Sequence, residues 1–126
     1  MLHLHADTRY YWFHGKTDFH KGFDGLCGLV REHMQRDVTD GGLFIFVNSR
    51  RNQIKLLYWE GDGLAIYHKR LEKGIFEEPE RSGDGRSVVI TAEQLQWILQ
   101  GIQLKSVIKR TRYVHPGRLS TVVKQS

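Results

Sequence analysis

Residues 43–76 read LFIFVNSRRNQIKLLYWEGDGLAIYHKRLEKGIF, Leu43 to Phe76. Three apolar runs are divided by an arginine-bearing turn and by Glu60-Gly61-Asp62-Gly63. Short apolar runs rich in β-branched and aromatic residues and bounded by turn residues predict strands. The Glu-Gly-Asp-Gly link supplies glycine where a tight hairpin needs positive φ. The runs then form an antiparallel meander. Leu43–Val47 leads up to the turn at Asn48 to Asn52, Gln53–Trp59 runs back, and Leu64–Arg70 runs up again. The end of the third strand must lie beside the first turn. Arg50, Arg51, Lys55, Lys69 and Arg70, spread over 21 residues of sequence, therefore converge at one end of the sheet. Glu60 and Asp62 fall at the other end. Like charges repel, so this cluster needs counter-charges or a polyanion. Two outcomes stand open. Glu72 or a neighbouring acid pairs with Arg70 and the rest are solvated, or the edge grips phosphate oxygens through arginine forks and lysine point charges.

Outward from this stretch the chain stays regular. Tyr10 to His14, an aromatic run, predicts a strand. Phe19, Phe23, Leu26, Cys27, Val30 and Met34 keep helical spacing and make one apolar face, with Thr17 or Asp18 able to cap the start. Gly22, Gly25 and Gly28 within it each cost about 1 kcal/mol against alanine, which suggests close backbone packing. Ser87 to Ile90 predicts a fourth strand. Thr91 and Gln94 form a capping-box pair before a second helix with Leu95, Ile98, Leu99 and Ile102 on its apolar face, and Gly101 can end it. Residues 77–86 read as a polar loop without packing residues. The expected fold is α+β, a mainly antiparallel β-meander sheet with two helices packed on one face.

The 126 residues suggest one domain, large enough to bury a core without disulfides or metal. One cysteine, Cys27, excludes an internal disulfide and a cysteine-based zinc site, and fits a reduced, cytoplasmic setting. It lies on the apolar helix face, as a core residue would. No apolar run approaches the roughly 18 residues of a membrane span, and the first residues lack the pattern of a signal peptide. The net charge is +5 and uneven. Residues 1–93 hold all 14 Asp and Glu and 13 of the 19 Lys and Arg, a net of −1. Residues 94–126 hold six Lys and Arg and no acid. The expected organisation is a domain over residues 1–104 and a basic tail over 105–126. Lys105, Lys109, Arg110 and Arg112 in that tail are candidates to attract nucleic acid, against the plainer reading of a solubilising tail.

Catalytic patterns are weaker. His3 and His5 could point two imidazoles at a metal near Tyr10 and Tyr11, but so short a pattern arises by chance. Asp40, Gln53 and Lys55 loosely match a magnesium nuclease, which needs at least two converging carboxylates. Asp18, Asp24, Asp62 and Glu72 do not make an acidic triad, since Asp18 fits a helix cap and Asp62 a turn. No phosphate-binding loop, nucleophile elbow or dinucleotide fingerprint is present. No catalytic residue, resident metal or cofactor is expected. Tyr10, Tyr11, Trp12 and Phe13 could stack on single-stranded bases, though such a run more often belongs to a core.

The stretches TDFHKGFDGL, LFIFVNSRRNQIKLLYWEGDG, YHKRLEKGIF and TAEQLQWILQGI together resemble the TnpB (second open reading frame) accessory proteins of bacterial insertion sequences of the IS sixty-six type. The order and spacing agree over residues 10–104. The positions that carry the resemblance are Asp18, Lys21, Gly22, Trp59, Asp62, Gly63, Glu72 and Gly74. His20 stands where the family has arginine, and Val38 near where it has proline. The resemblance implies a protein encoded beside a separate, larger transposase and needed for movement of the element; it does not imply a catalytic activity. The expected partners are element-end DNA, the transposase and a sister accessory protein. The readings in play are a DNA-binding accessory factor, a protein-bridging module of the transposition complex, and a small magnesium-dependent nuclease.

Overall fold

The computed structural model describes residues 7–81 and 83–102. Its order is β1 (Tyr10–Lys16), α1 (Phe23–Met34), a 3-10 turn (Val38–Asp40), β2 (Leu43–Val47), β3 (Gln53–Trp59), β4 (Leu64–Arg70), β5 (Ser87–Ile90) and α2 (Ala92–Leu99). The five strands make one sheet in the order β4-β3-β2-β1-β5. The meander β2-β3-β4 forms as expected, with Phe46 opposite Lys55 and Gln53 opposite Arg70. β1 runs parallel to β2 and antiparallel to β5. The fold is thus α+β with a mostly antiparallel, mixed sheet.

The helices do not share a face. Successive side chains of a strand point to opposite sides of the sheet. Tyr10 and Trp12 join Leu95 and Ile98 of α2 in one core, whereas Tyr11 and Phe13 join Leu26, Val30 and Met34 of α1 in another. The sheet is therefore covered on both sides. All four aromatics of β1 are buried, which removes them as a base-stacking platform.

The first helix also begins later than its apolar spacing suggests. The Thr17 N–H donates to the Val47 carbonyl, so the chain stays extended beside β2. α1 starts at Phe23 after Gly22, without a side-chain cap. Neither Gly22 nor Gly28 has a neighbour where a Cβ would stand, and at Gly25 a Cβ would meet only the Lys21 side chain. The glycines do not mark close packing on the sheet. The second helix keeps its reciprocal capping box between Thr91 and Gln94. The 77–86 loop packs after all: Pro79 is buried, and the Glu78 carboxylate lies 2.7 Å from Nδ1 of His14, whose side chain is fully buried.

Candidate nucleic-acid interface

The turn between β2 and β3 is fixed by its own polar side chains. Asn48 Nδ2 donates to Asn52 Oδ1 at 2.7 Å, and the Gln53 N–H donates to Asn48 Oδ1 at 3.0 Å. The Arg51 N–H donates to the Asn48 carbonyl at 3.0 Å. Arg51 has φ 56°, a left-handed conformation that costs a non-glycine residue on the order of 1 kcal/mol. One flanking segment docks on this turn and a second on the strands beside it. The Leu71 N–H donates to the Asn52 carbonyl at 2.8 Å and the Phe76 N–H to the Arg51 carbonyl at 2.6 Å. Residues 71–76 thereby close over it. Gly74 takes φ 80° within that loop, and Phe76 is fully buried in the α2-side core.

The second segment is residues 17–22. Lys55, only 8% exposed, donates from Nζ to the carbonyls of Phe19 (2.9 Å) and Lys21 (3.0 Å). Its ammonium also lies 4.8 Å from the centre of the Phe19 ring, and that ring meets His68 edge-on. Burial, then Lys55 and Arg70, push the His68 imidazole below its ordinary pKa. Asp18 caps this loop instead of the helix. Its Oδ1 accepts from the His20 N–H at 2.9 Å and lies 2.9 Å from His20 Nδ1. These contacts hold its carboxyl below the usual range, the backbone bond contributing most.

The predicted convergence at this end occurs, but its five cations divide by role. Arg50 and Arg70 are exposed and Arg51 is half-buried. None of the three pairs with a carboxylate among the described residues, so the pairing of Glu72 with Arg70 does not form there. Lys55 and Lys69 sit at the expected end with their ammonium groups committed to main-chain carbonyls. Lys55 binds the 17–22 loop on the α1 face, and Lys69 donates to the Leu99 carbonyl at 2.6 Å on the α2 face. Exposed Lys21 joins the cluster from the docked loop, and Lys16 from the end of β1. Neither was a candidate from charge spacing, because only the fold brings residues 16–22 to this end. Asp18, Lys21, Gly22, Glu72 and Gly74 all lie on the two docked loops. Trp59, Asp62 and Gly63 lie at the far end, where the Glu60 N–H closes the hairpin onto the Gly63 carbonyl at 2.8 Å. Lys105, Lys109, Arg110 and Arg112 lie outside the described residues, as do His3 and His5.

The nuclease constellation does not assemble. Asp40 precedes β2 at the far end of the sheet, Gln53 faces His68 at 2.8 Å, and Lys55 is buried against carbonyls. That far end holds a cleft of about 790 Å³. Arg9, Arg31 and Arg36 balance Asp7, Asp37 and Asp40 around it, whereas at the basic end the cations outnumber Asp18 and Glu72.

The family described as IS66 Orf2 like protein matches residues 8–109. The chain belongs to this family. A relative in Sinorhizobium fredii (strain NBRC 101917 / NGR234), the uncharacterized protein y4hO, is 32% identical over 102 residues, 81% of this chain and 87% of that one. A second, the uncharacterized protein y4jC of the same strain, is 36% identical over 63 residues, 50% of this chain and 54% of that one. No solved structure matches the chain significantly. Membership connects the protein to insertion sequences and transposition as an accessory-type protein. No helix among the described residues is long and apolar enough to cross a membrane.

Proposed function

We propose that this IS66 Orf2-like protein is a non-catalytic DNA-binding factor that acts with a separate transposase at the ends of its element. The observation that carries this reading is the cluster of exposed Lys21, Arg50 and Arg70 with half-buried Arg51 at one end of the sheet, unpaired with acids among the described residues. A rigid turn presents guanidinium forks, the geometry that holds phosphate oxygens in pairs. Lys55 and Lys69 act as anchors that shape the surface, and the basic tail adds attraction without specificity. Contacts to phosphate position a protein on DNA and are indifferent to sequence.

The test is a binding titration of the full chain against element-end and random DNA at several salt concentrations. Each lost phosphate contact lowers the slope of log affinity against log salt by about 0.9. Arg50→Ala with Arg51→Ala lowers the slope by about two and weakens both DNAs alike. A double variant with unchanged DNA affinity and slope, but lost binding to the transposase, makes this end a protein-docking surface instead.

A further inference from the structure

β4 is an edge of the sheet, with β3 along one side and no strand among the described residues along the other. The bonds at its two ends fix which groups face outward. The Leu71 N–H donates to Asn52 and the Gly63 carbonyl accepts from Glu60, so residues 63, 65, 67, 69 and 71 turn their main chain toward β3. Backbone groups of an antiparallel strand alternate between its two sides. Leu64, Ile66, His68 and Arg70 therefore present N–H and C=O to the open edge. Natural edge strands are blunted by charged side chains, proline, bulges, inward charges or short length. β4 pairs with β3 without a bulge over seven residues, has no proline or glycine, and carries its lysine and arginine only at its last two positions, Lys69 and Arg70. The opposite edge, β5, has four residues.

We infer that β4 is a docking edge for a second copy of this chain, paired antiparallel to itself with Tyr67 on the two-fold axis. The strand reads Leu-Ala-Ile-Tyr-His-Lys-Arg, with His68, Lys69 and Arg70 all beyond the central Tyr67. A parallel pairing in register sets Lys69 against Lys69 and Arg70 against Arg70. The antiparallel register centred on Tyr67 sets Arg70 opposite Leu64, Lys69 opposite Ala65 and His68 opposite Ile66. It pairs all seven residues, and each opposed pair of outward-facing residues exchanges two main-chain hydrogen bonds. The two Arg70 Cα atoms then stand about 20 Å apart, at a rise of roughly 3.4 Å per residue. Tyr67 meets its copy in a non-hydrogen-bonded pair, with Cα atoms about 4.5 Å apart. Half-buried Leu64, Ile66 and Tyr67 gain apolar cover on both faces. The product is a continuous ten-stranded sheet with both α1 helices on the same side.

Sedimentation equilibrium of the full chain across the micromolar range tests this, with DNA absent. The expected result is a monomer–dimer equilibrium. Ile66→Pro removes an outward N–H and spares the β3 ladder, so it shifts the protein to monomer. Tyr67→Lys places like charges on the axis and does the same, with circular dichroism confirming the fold. In a Cys27→Ser background, Tyr67→Cys cross-links on oxidation, whereas Ala65→Cys does not, because two Ala65 residues stand four residues apart in this register. A monomer throughout, with no Tyr67→Cys cross-link, overturns the inference. So does a dimer indifferent to Tyr67→Lys, or cross-linking by Ala65→Cys in place of Tyr67→Cys.

Discussion

The two ends of the sheet are built from the same meander and differ in what is laid over them. At the Glu60–Gly63 end a single hairpin closes on itself, and Glu60 and Asp62 stand exposed. At the Asn48–Asn52 end one further loop docks on the turn and another on the adjoining strands, and the bonds that hold them come from side chains and main chain up to 36 residues away. The far end also holds a cleft, but its arginines and aspartates are balanced in number. The basic end is a constructed one, in which buried bonds fix the positions of charges that gain nothing from one another. Under the proposed function, a fixed backbone that holds Arg50, Arg51 and Arg70 together would lower the ordering cost of binding an anion.

The largest way to break this contrast is Phe76→Ala. The ring anchors the 71–76 loop in the α2-side core, and its loss costs about 3–5 kcal/mol, read as a lower urea midpoint. Lys55→Met comes next. It keeps the unbranched apolar stem, one atom shorter, and strands the Phe19 and Lys21 carbonyls, a cost of about 1–3 kcal/mol. Amide exchange should quicken in residues 17–22 and remain unchanged at the Glu60–Gly63 hairpin.

Arg51→Gly sharpens the contrast by separating charge from fold. Glycine accepts φ 56° freely, so stability stays within about 1 kcal/mol. The salt slope of DNA binding nevertheless falls by about one. The His68 pKa gives a pH dependence with two signs. Its folded value lies below the ordinary 6.5, so the unfolded chain takes up a proton first and stability declines as pH falls below about 6.5. Phosphates beside the imidazole would raise its pKa in the complex, so DNA affinity rises over the same interval. His68→Gln flattens both curves. The smallest effect belongs to the other end: Glu60→Ala with Asp62→Ala changes stability and DNA affinity by no more than about 0.5 kcal/mol.

Much of this architecture is legible in the sequence. The turn residues at 48–52 and 60–63 set the meander, and the meander alone brings Arg50, Arg51 and Arg70 together. Thr91 and Gln94 announce α2 because a capping box is local, needing only a three-residue spacing. The start of α1 was less legible. Asp18 has the chemistry of a helix cap, but it serves the turn at His20, and Thr17 is held by Val47 from another strand.

By itself the sequence determined the strands, the apolar face of α2, the family and the end at which charge collects; on α1 the predicted face held for Leu26, Val30 and Met34, while Phe19 precedes the helix and Phe23 is exposed. The side of the sheet taken by each helix was left to tertiary structure. Tyr10-Tyr11-Trp12-Phe13 and Leu43-Phe44-Ile45-Phe46-Val47 are apolar at every position, so they carry no alternation that distinguishes one face from the other. Tertiary structure likewise decided which cations remain free. Lys55 and Lys69 resemble Arg70 as sequence, yet their ammonium groups meet carbonyls 34 to 36 and 30 residues away. A spacing rule reaches along one element, whereas a buried amine is satisfied by whichever carbonyl the folded chain brings within about 3 Å.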